Sequence, residues 1–374
     1  MSQVLKKRKT ILLFGLSITC VLMNMYVYTF KSNTKFGNIF DFKQTILTEY
    51  KHKGKISSAN ITNTIAGLVT LREPYTTFLV SELGKTSRNT SRVEATYTTF
   101  RYNFMYKIVP TVDCSNLDLV ICVVGKRNKN RTRQTIRKTW GSYANVSSNK
   151  AALIFFLGSE HPSTNDSQSV QHYIDKEAEL YGDILQEDYI DHYKNLTFKT
   201  LSILKWVTSR CPGSELVLKA DDDMYVNVPL LVQNLKNISQ TKGKGYPFVV
   251  GYAFHNFRPI EEPESKWYAP ESQYKEKTYP TFTSGTAYAM TTSAAKRLYK
   301  ASFQVPFFRL EDVYITGLCA KKANVEVIHN NLFFNVKRNP TGCSFKNTIS
   351  GHRYRRAEME RIHQQLYNIT IKCY

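Results

Sequence analysis

Three carboxylates in a row, Asp221, Asp222 and Asp223, follow the apolar run Leu216-Val217-Leu218. Adjacent carboxylates repel one another, so a convergent set of them calls for a cation. Hard oxygen ligands suit Mg²⁺ or Mn²⁺, metals that share their coordination with phosphate. A solvated acidic turn capping the next helix would use the same residues. The apolar lead-in favours a site, because it describes a strand whose carboxyl end is where α/β sheets gather ligands. A second acidic pair, Glu311-Asp312, opens the stretch Val313 to Lys322, which reads as a helix. Asp312 there suits an N-cap. His352, in a Gly-His-Arg segment of a basic loop, reads by itself as a surface residue. Arg133 and Arg137 are four apart on one helix face, and their forks suit a diphosphate or a carbonyl edge. Their neighbours Lys126, Arg127, Lys129 and Arg131 read as a solvated basic face, and Trp140 as core.

The elements that must position these residues alternate. Leu117 to Val124 reads as a buried strand, Arg131 to Trp140 as a helix, and Ala151 to Leu157 as a strand ended by Gly158. Ser167 to Tyr181 is helical, with Gly182 as its stop. Asn195 to Arg210 is helical, with Leu196, Thr200, Ile203 and Val207 on one face and Pro212-Gly213 as its end. Asn195 is placed to cap it. Glu215 to Lys219 is a strand running into the triplet, and Phe248 to Ala253 and Thr286 to Met290 are further strands. Alternating β and α with buried strands implies a largely parallel sheet with helices on both faces.

The chain of 374 residues carries 51 Lys+Arg against 30 Asp+Glu, a net charge of +21. A hydrophobic content of 42% excludes bulk disorder and collagen-like classes. The charge invites a nucleic-acid reading, but ten Lys/Arg and two Asp/Glu fall within residues 1 to 55. Lys6, Lys7, Arg8 and Lys9 precede Ile11 to Phe30, a run without charge that would span roughly 30 Å as a helix. The positive-inside rule leaves the N-terminus in the cytosol and the rest outside it. A cleaved signal peptide competes with this anchor, although no small-x-small site follows the run. Sequons at Asn60, Asn89, Asn130, Asn145, Asn165, Asn195, Asn237 and Asn368 agree with a lumenal side. So do six cysteines beyond Cys20, an even number without a C-x-x-C pair. No nucleic-acid motif appears, and Gly243-Lys244-Gly245 lacks phosphate-loop spacing. The chain thus divides into a cytoplasmic tail (1–10), a transmembrane anchor (11–30), a polar stem (31–100) and an α/β domain (101–374).

Ordered motifs then identify a resemblance. Arg133 to Gly141 (RQTIRKTWG), Phe155 to Gly158 (FFLG), Glu177, and Gly182 to Thr200 (GDILQEDYIDHYKNLTFKT) follow one another. Lys219 to Asn227 (KADDDMYVN), Tyr279-Pro280 with Gly285 and Tyr288, and Glu311 to Tyr314 (EDVY) complete the series. Over about residues 100 to 370 the sequence resembles the family 31 glycosyltransferases, the β1,3-galactosyltransferase and β1,3-N-acetylglucosaminyltransferase group of the Golgi. The resemblance implies a GT-A, Rossmann-like α/β domain on a type II Golgi membrane anchor. It implies an inverting enzyme that takes a hexose, galactose by preference, from a UDP-sugar with Mn²⁺ to the 3-hydroxyl of an acceptor glycan. N-acetylglucosamine or N-acetylgalactosamine transfer is the alternative, and a non-catalytic relative would have lost the carboxylates.

On the matching positions, Asp312 is expected to be the base and Glu311 to orient the sugar. Asp223 would ligate Mn²⁺ with His352 completing the shell, Asp221 would contact the ribose, and Asp222 would line the same turn. Lys219, Arg133, Arg137, Tyr279 and Gly285 complete the expected substrate site, with Tyr279-Pro280 and Gly285 in a loop near donor and acceptor. His363 stands where many members have Trp. Cys319 and Cys343 flank the last motif and are expected to pair, with Cys114–Cys211 as a second disulfide and Cys122 as a buried thiol.

Overall fold

The computed structural model describes residues 102–160, 167–368 and 370–373. The tail, anchor and stem expectations, and the sequons at Asn60, Asn89 and Asn165, lie outside them. Among the described residues no helix is long and apolar enough to cross a membrane.

After a short strand β1 (Tyr106–Ile108), the chain builds β2 (Leu119–Val124), α1 (Asn130–Lys138), β3 (Ala151–Ser159) and α2 (Ser167–Tyr181). It continues with β4 (Ile184–Ile190), α3 (Leu196–Arg210) and β5 (Leu216–Asp221). Every residue of β2 is buried, because β-branched and other apolar side chains fill both faces of the strand. Leu119, Ile121 and Val123 enter one core with Ile136, Trp140 and Leu218. Val120, Cys122 and Val124 enter the other with Ile154, Trp206 and Val217. The alternation of side chains along a strand therefore makes two cores, one on each face. The helix-face residues Thr200, Ile203 and Val207 of α3 are fully buried.

The second half adds β6 (Tyr225–Val226), α4 (Val228–Lys242), β7 (Phe248–Phe254), β8 (Phe282–Thr291) and α5 (Thr292–Ser302). A π-helix (Val313–Cys319) leads into α6 (Ala320–Ala323) and β9 (Glu326–His329), and α7 (Gly342–Phe345), β10 (Ser350–Gly351) and α8 (Arg356–Leu366) close the chain. The main sheet has eight strands in the order β1-β4-β3-β2-β5-β8-β7-β9. The block β4-β3-β2-β5 is parallel. Outside that block the sheet is mixed, against the expectation of a largely parallel one: β9 runs parallel to β7, whereas β8 runs antiparallel to both β5 and β7, and β1 antiparallel to β4. A parallel return needs a crossover, usually a helix. Residues 255–281 between β7 and β8 contain none, so the chain comes back antiparallel.

Other local expectations also change. Gly158 does not end β3 but lies within it, and a Cβ there would stand 2.6 Å from the Tyr189 ring. Asn195 occupies the N-cap position of α3 without capping it: its Nδ2 donates to Ile190 O at 2.8 Å. The segment after Asp312 opens as a π-helix. Cys343 bonds Cys373 rather than Cys319, which is buried and unpaired. Cys319 faces the core beside α5, whereas Cys343 in α7 lies with the carboxyl-terminal tail. Cys114–Cys211 forms, and Cys122 is a buried thiol.

Candidate active site

Asp221 is the last residue of β5, so the triplet stands at the carboxyl end of a parallel strand. The chain then turns, with Met224 N–H on Asp221 O, and enters β6. β6 pairs with β10, placing Tyr225 opposite Gly351. That two-stranded ribbon brings His352 to the triplet across a long sequence gap. Arg353 takes a left-handed φ of 67°, and Tyr354 N–H then closes the turn on Asp223 O at 2.9 Å. His352 Nε2 lies 3.2 Å from Asp223 Oδ1. Asp221, Asp223 and His352 each offer a ligand atom within 4.8 Å of the others. Two carboxylates and an imidazole at this spacing fit a hard or borderline divalent cation. Asp221, expected on the ribose, thus stands in the same cluster as the expected ligands.

Burial pushes the Asp221 carboxyl up to about 6, with Asp223 and Glu311 adding to the effect and Lys219 opposing it. Burial also raises Asp222, against Lys129 and the Lys126 N–H. For Asp223 burial acts upward as well, but the hydrogen bond and charge of His352 outweigh it and hold the carboxyl below its usual value.

Lys219 joins this cluster to the second acidic pair. Its side chain is 3% exposed, and its Nζ lies 2.7 Å from Asp221 Oδ1 and 3.8 Å from Glu311 Oε2. It also donates to Gly285 O. Burial would lower the Lys219 ammonium, but Asp221, Glu311 and Asp312 raise it. Glu311 Oε1 accepts from Thr200 Oγ1 and from Tyr288 Oη, each at 2.7 Å. Asp312 does cap the π-helix, accepting Val313 N–H at 2.9 Å, and its other oxygen accepts Gly285 N–H at 3.3 Å. Burial, reinforced by Glu311, pushes Asp312 up to about 6 against these N–H groups and Lys219. Gly285 lies in β8 rather than in a loop. A Cβ there would come 2.9 Å from Glu311 Oε2 and 3.2 Å from Asp312 Cβ, so only glycine lets the pair approach the strand.

Other expected residues stand apart. Arg133 is 1% exposed; its Nε and Nη2 donate to Glu177 at 3.0 and 2.5 Å, and its Nη1 to Lys126 O and Arg127 O at 3.1 and 3.2 Å. Arg137 binds Glu177 at 2.7 Å and grips Asp183 through two bonds at 2.7 and 2.8 Å. Both forks are occupied by this chain's own groups. Arg133 alone also holds the loop after β2, in which Lys126 N–H meets Asp222 Oδ2 at 3.4 Å and Lys129 Nζ lies 3.8 Å from Asp222 Oδ1. Tyr279 is buried among Tyr274, Phe282 and Phe308. Trp140 is core, and His363 meets Tyr225 Oη at 3.1 Å. Thr200 and Tyr288 received no role from sequence, although Thr200, a polar residue in an otherwise apolar helix face, carried the signal.

The galactosyltransferase family model matches residues 131–331, a span that holds Lys219, Asp221 to Asp223, Gly285, Glu311 and Asp312 but not His352. Human beta-1,3-galactosyltransferase 1 is 35% identical over 244 residues, covering 65% of this chain and 72% of that one. Beta-1,3-galactosyltransferase 5 of Pan paniscus is 34% identical over 249 residues, covering 65% and 79%. A crystal structure of a glycosyltransferase involved in the glycosylation of the major capsid of PBCV-1 covers 66% of this chain and 98% of its own, at 12% identity and a TM-score of 0.36. That likeness is too loose to carry an argument. The family match and the curated relatives are sufficient: this chain belongs to the galactosyltransferase family and is a glycosyltransferase.

Proposed function

We propose that the enzyme transfers a hexose, galactose by first choice, from a UDP-sugar to the 3-hydroxyl of an acceptor glycan in β1,3 linkage, with inversion. The observation that carries the reading is the pair of acidic clusters bridged by Lys219, one suited to the leaving diphosphate and one to the attacking hydroxyl. The names of the relatives support galactose as the donor sugar. Asp223 and His352, with Asp221 in reach, would hold a divalent cation such as Mn²⁺, which when bound neutralises charge building on the UDP leaving group. Asp222 lines the same turn. Asp312 accepts the proton of the acceptor hydroxyl as attack proceeds, on the face opposite the departing diphosphate. Glu311, fixed by Thr200 and Tyr288, orients the transferred sugar. The uncharged run Ile11 to Phe30 and the basic residues before it support a single-pass type II anchor in the Golgi membrane.

The test uses the full chain with UDP-galactose, UDP-N-acetylglucosamine and UDP-N-acetylgalactosamine, with Mn²⁺ or EDTA. The acceptors are p-nitrophenyl β-glycosides of the same three sugars. Mn²⁺-dependent turnover with UDP-galactose and a β1,3 product by NMR is expected. Preference for an N-acetylhexosamine donor would change the sugar only. Neither transfer nor donor hydrolysis with any of the three would overturn the reading.

A further inference from the structure

β8 is longer than the part of it that β5 covers. The ladder between them ends where Ala220 meets Ala287, and the Phe282 to Thr286 part of β8 runs on beside the acidic pair. On its far side β7 still pairs Ala253 with Thr283. The near side is closed by side chains. Gly285 N–H donates to Asp312 Oδ2 at 3.3 Å, and Thr283 N–H donates to Thr316 Oγ1 at 2.9 Å. Backbone groups two residues apart point to the same side of a strand. Asp312 and Thr316 therefore continue, from the first turn of the π-helix, the ladder that β5 leaves off.

Thr316 is fully buried among apolar neighbours, Val313, Tyr314, Ile315 and Cys319. Its hydroxyl is used twice: it accepts Thr283 N–H and donates to Asp312 O at 2.6 Å. A hydroxyl bonded to the carbonyl four residues back is a local bond that bends a helix, and π-helical turns concentrate at functional sites. Here the same hydroxyl reaches across to the sheet. It is the short, fully shielded half of a two-point attachment whose other half, at Gly285, is the longer bond made by the carboxylate itself.

We propose that Thr316 is a positioning residue for Asp312: its hydroxyl pins the start of the π-helix to β8 and so holds the carboxylate at the place where it meets the acceptor hydroxyl. The proposal rests on the reading of Asp312 as the base. Serine keeps both bonds. Valine keeps the shape and loses them, leaving Thr283 N–H without an acceptor in a buried place.

The experiment compares Thr316→Ser, Thr316→Val and Thr316→Ala in the full-length protein, with the preferred UDP-sugar and p-nitrophenyl acceptor from the panel above. Thr316→Ser is expected within about twofold of wild-type kcat. Thr316→Val and Thr316→Ala are expected to lose at least about tenfold in kcat with donor KM within about twofold, because a small displacement of a reacting group is costly while the diphosphate side is untouched. Unfolding temperatures well above the assay temperature exclude general collapse. If valine does not fold, the Ala–Ser comparison decides, since it removes the same hydroxyl without adding bulk. A hydroxyl-free variant with wild-type kcat, a loss appearing only in donor KM, or serine as damaged as alanine would overturn the proposal. Asp312→Asn separates the two levels. If it stays active, the base reading fails; if it is inactive while Thr316→Val runs at full rate, only the positioning role fails.

Discussion

Replacing Glu177 by Met decides what the two arginine forks are for. Glu177 is 7% exposed and receives Arg133 through two bonds, at 2.5 and 3.0 Å, and Arg137 through one at 2.7 Å. Arg137 keeps Asp183 in the variant. Arg133 keeps only the carbonyls of Lys126 and Arg127, and its charge is left buried without a counter-charge. Stranding one member of a buried ion pair costs about 3–5 kcal/mol. At about 2–4 °C per kcal/mol for a domain of this class, the unfolding midpoint should fall by roughly 10 °C. Arg133→Met should cost less, because Glu177 retains Arg137, and the Arg133→Met/Glu177→Met double variant should recover most of the loss by replacing the pair with apolar volume. For Glu177, burial acts upward but the bonds and charges of Arg133 and Arg137 outweigh it, so its folded-state pKa is depressed. Its contribution is therefore present above the ordinary glutamate range and lost as pH falls below about 4. The assay is thermal unfolding at pH 7 and at about pH 3, together with donor KM at a temperature where each variant is folded. A Glu177→Met midpoint equal to wild type would refute the reasoning. So would an Arg133→Met variant of unchanged stability with a much raised donor KM, which would return that fork to the nucleotide-sugar.

Three further outcomes are expected. Because burial with Glu311 pushes Asp312 up to about 6, turnover that needs its carboxylate should fall as pH drops through about 6, approaching tenfold per unit below it; at saturating Mn²⁺, a profile flat to pH 4.5 would count against Asp312 as base. Gly285→Ala places a Cβ 2.9 Å from Glu311 Oε2, so kcat should fall at least tenfold for a stability loss of about 1–3 kcal/mol; kinetics beside thermal unfolding check this, and near-normal kcat would mean the acidic pair need not touch β8. Non-reduced peptide mapping should find Cys114–Cys211 and Cys343–Cys373, with Cys122 and Cys319 alkylated only after denaturation; a Cys319–Cys343 peptide would contradict the fold of the carboxyl-terminal region.

The legible part of the fold is most of its parallel half, although β4 was not expected as a strand. β2, β3, α2, α3 and β5 announce themselves because continuous apolar runs and a 3.6-residue period are local properties. The β8 and β7 half was readable as strands but not as antiparallel strands, since direction depends on what lies between elements. In the site, the acidic triplet and Glu311-Asp312 were legible because clustered carboxylates are unusual wherever they stand. The arginines show the limit of such reading: a fork four residues from a fork looks alike whether it meets a phosphate or a buried Glu177. Cys343 is closer in sequence to Cys319 than to Cys373, but proximity in a chain does not measure proximity across a core.

By itself the sequence determined which side chains are able to do this chemistry and which strand ends carry the triplet, because composition, period and apolar lead-in are written residue by residue. The tertiary structure alone decided what each of them faces. β6 and β10 bring His352 to Asp223, Lys219 links two acidic clusters, and β8 outruns β5 so that Asp312 and Thr316 can dock on it. A charge or a hydroxyl acquires its role from the partner that compensates it, and that partner is chosen by packing between residues far apart in the chain.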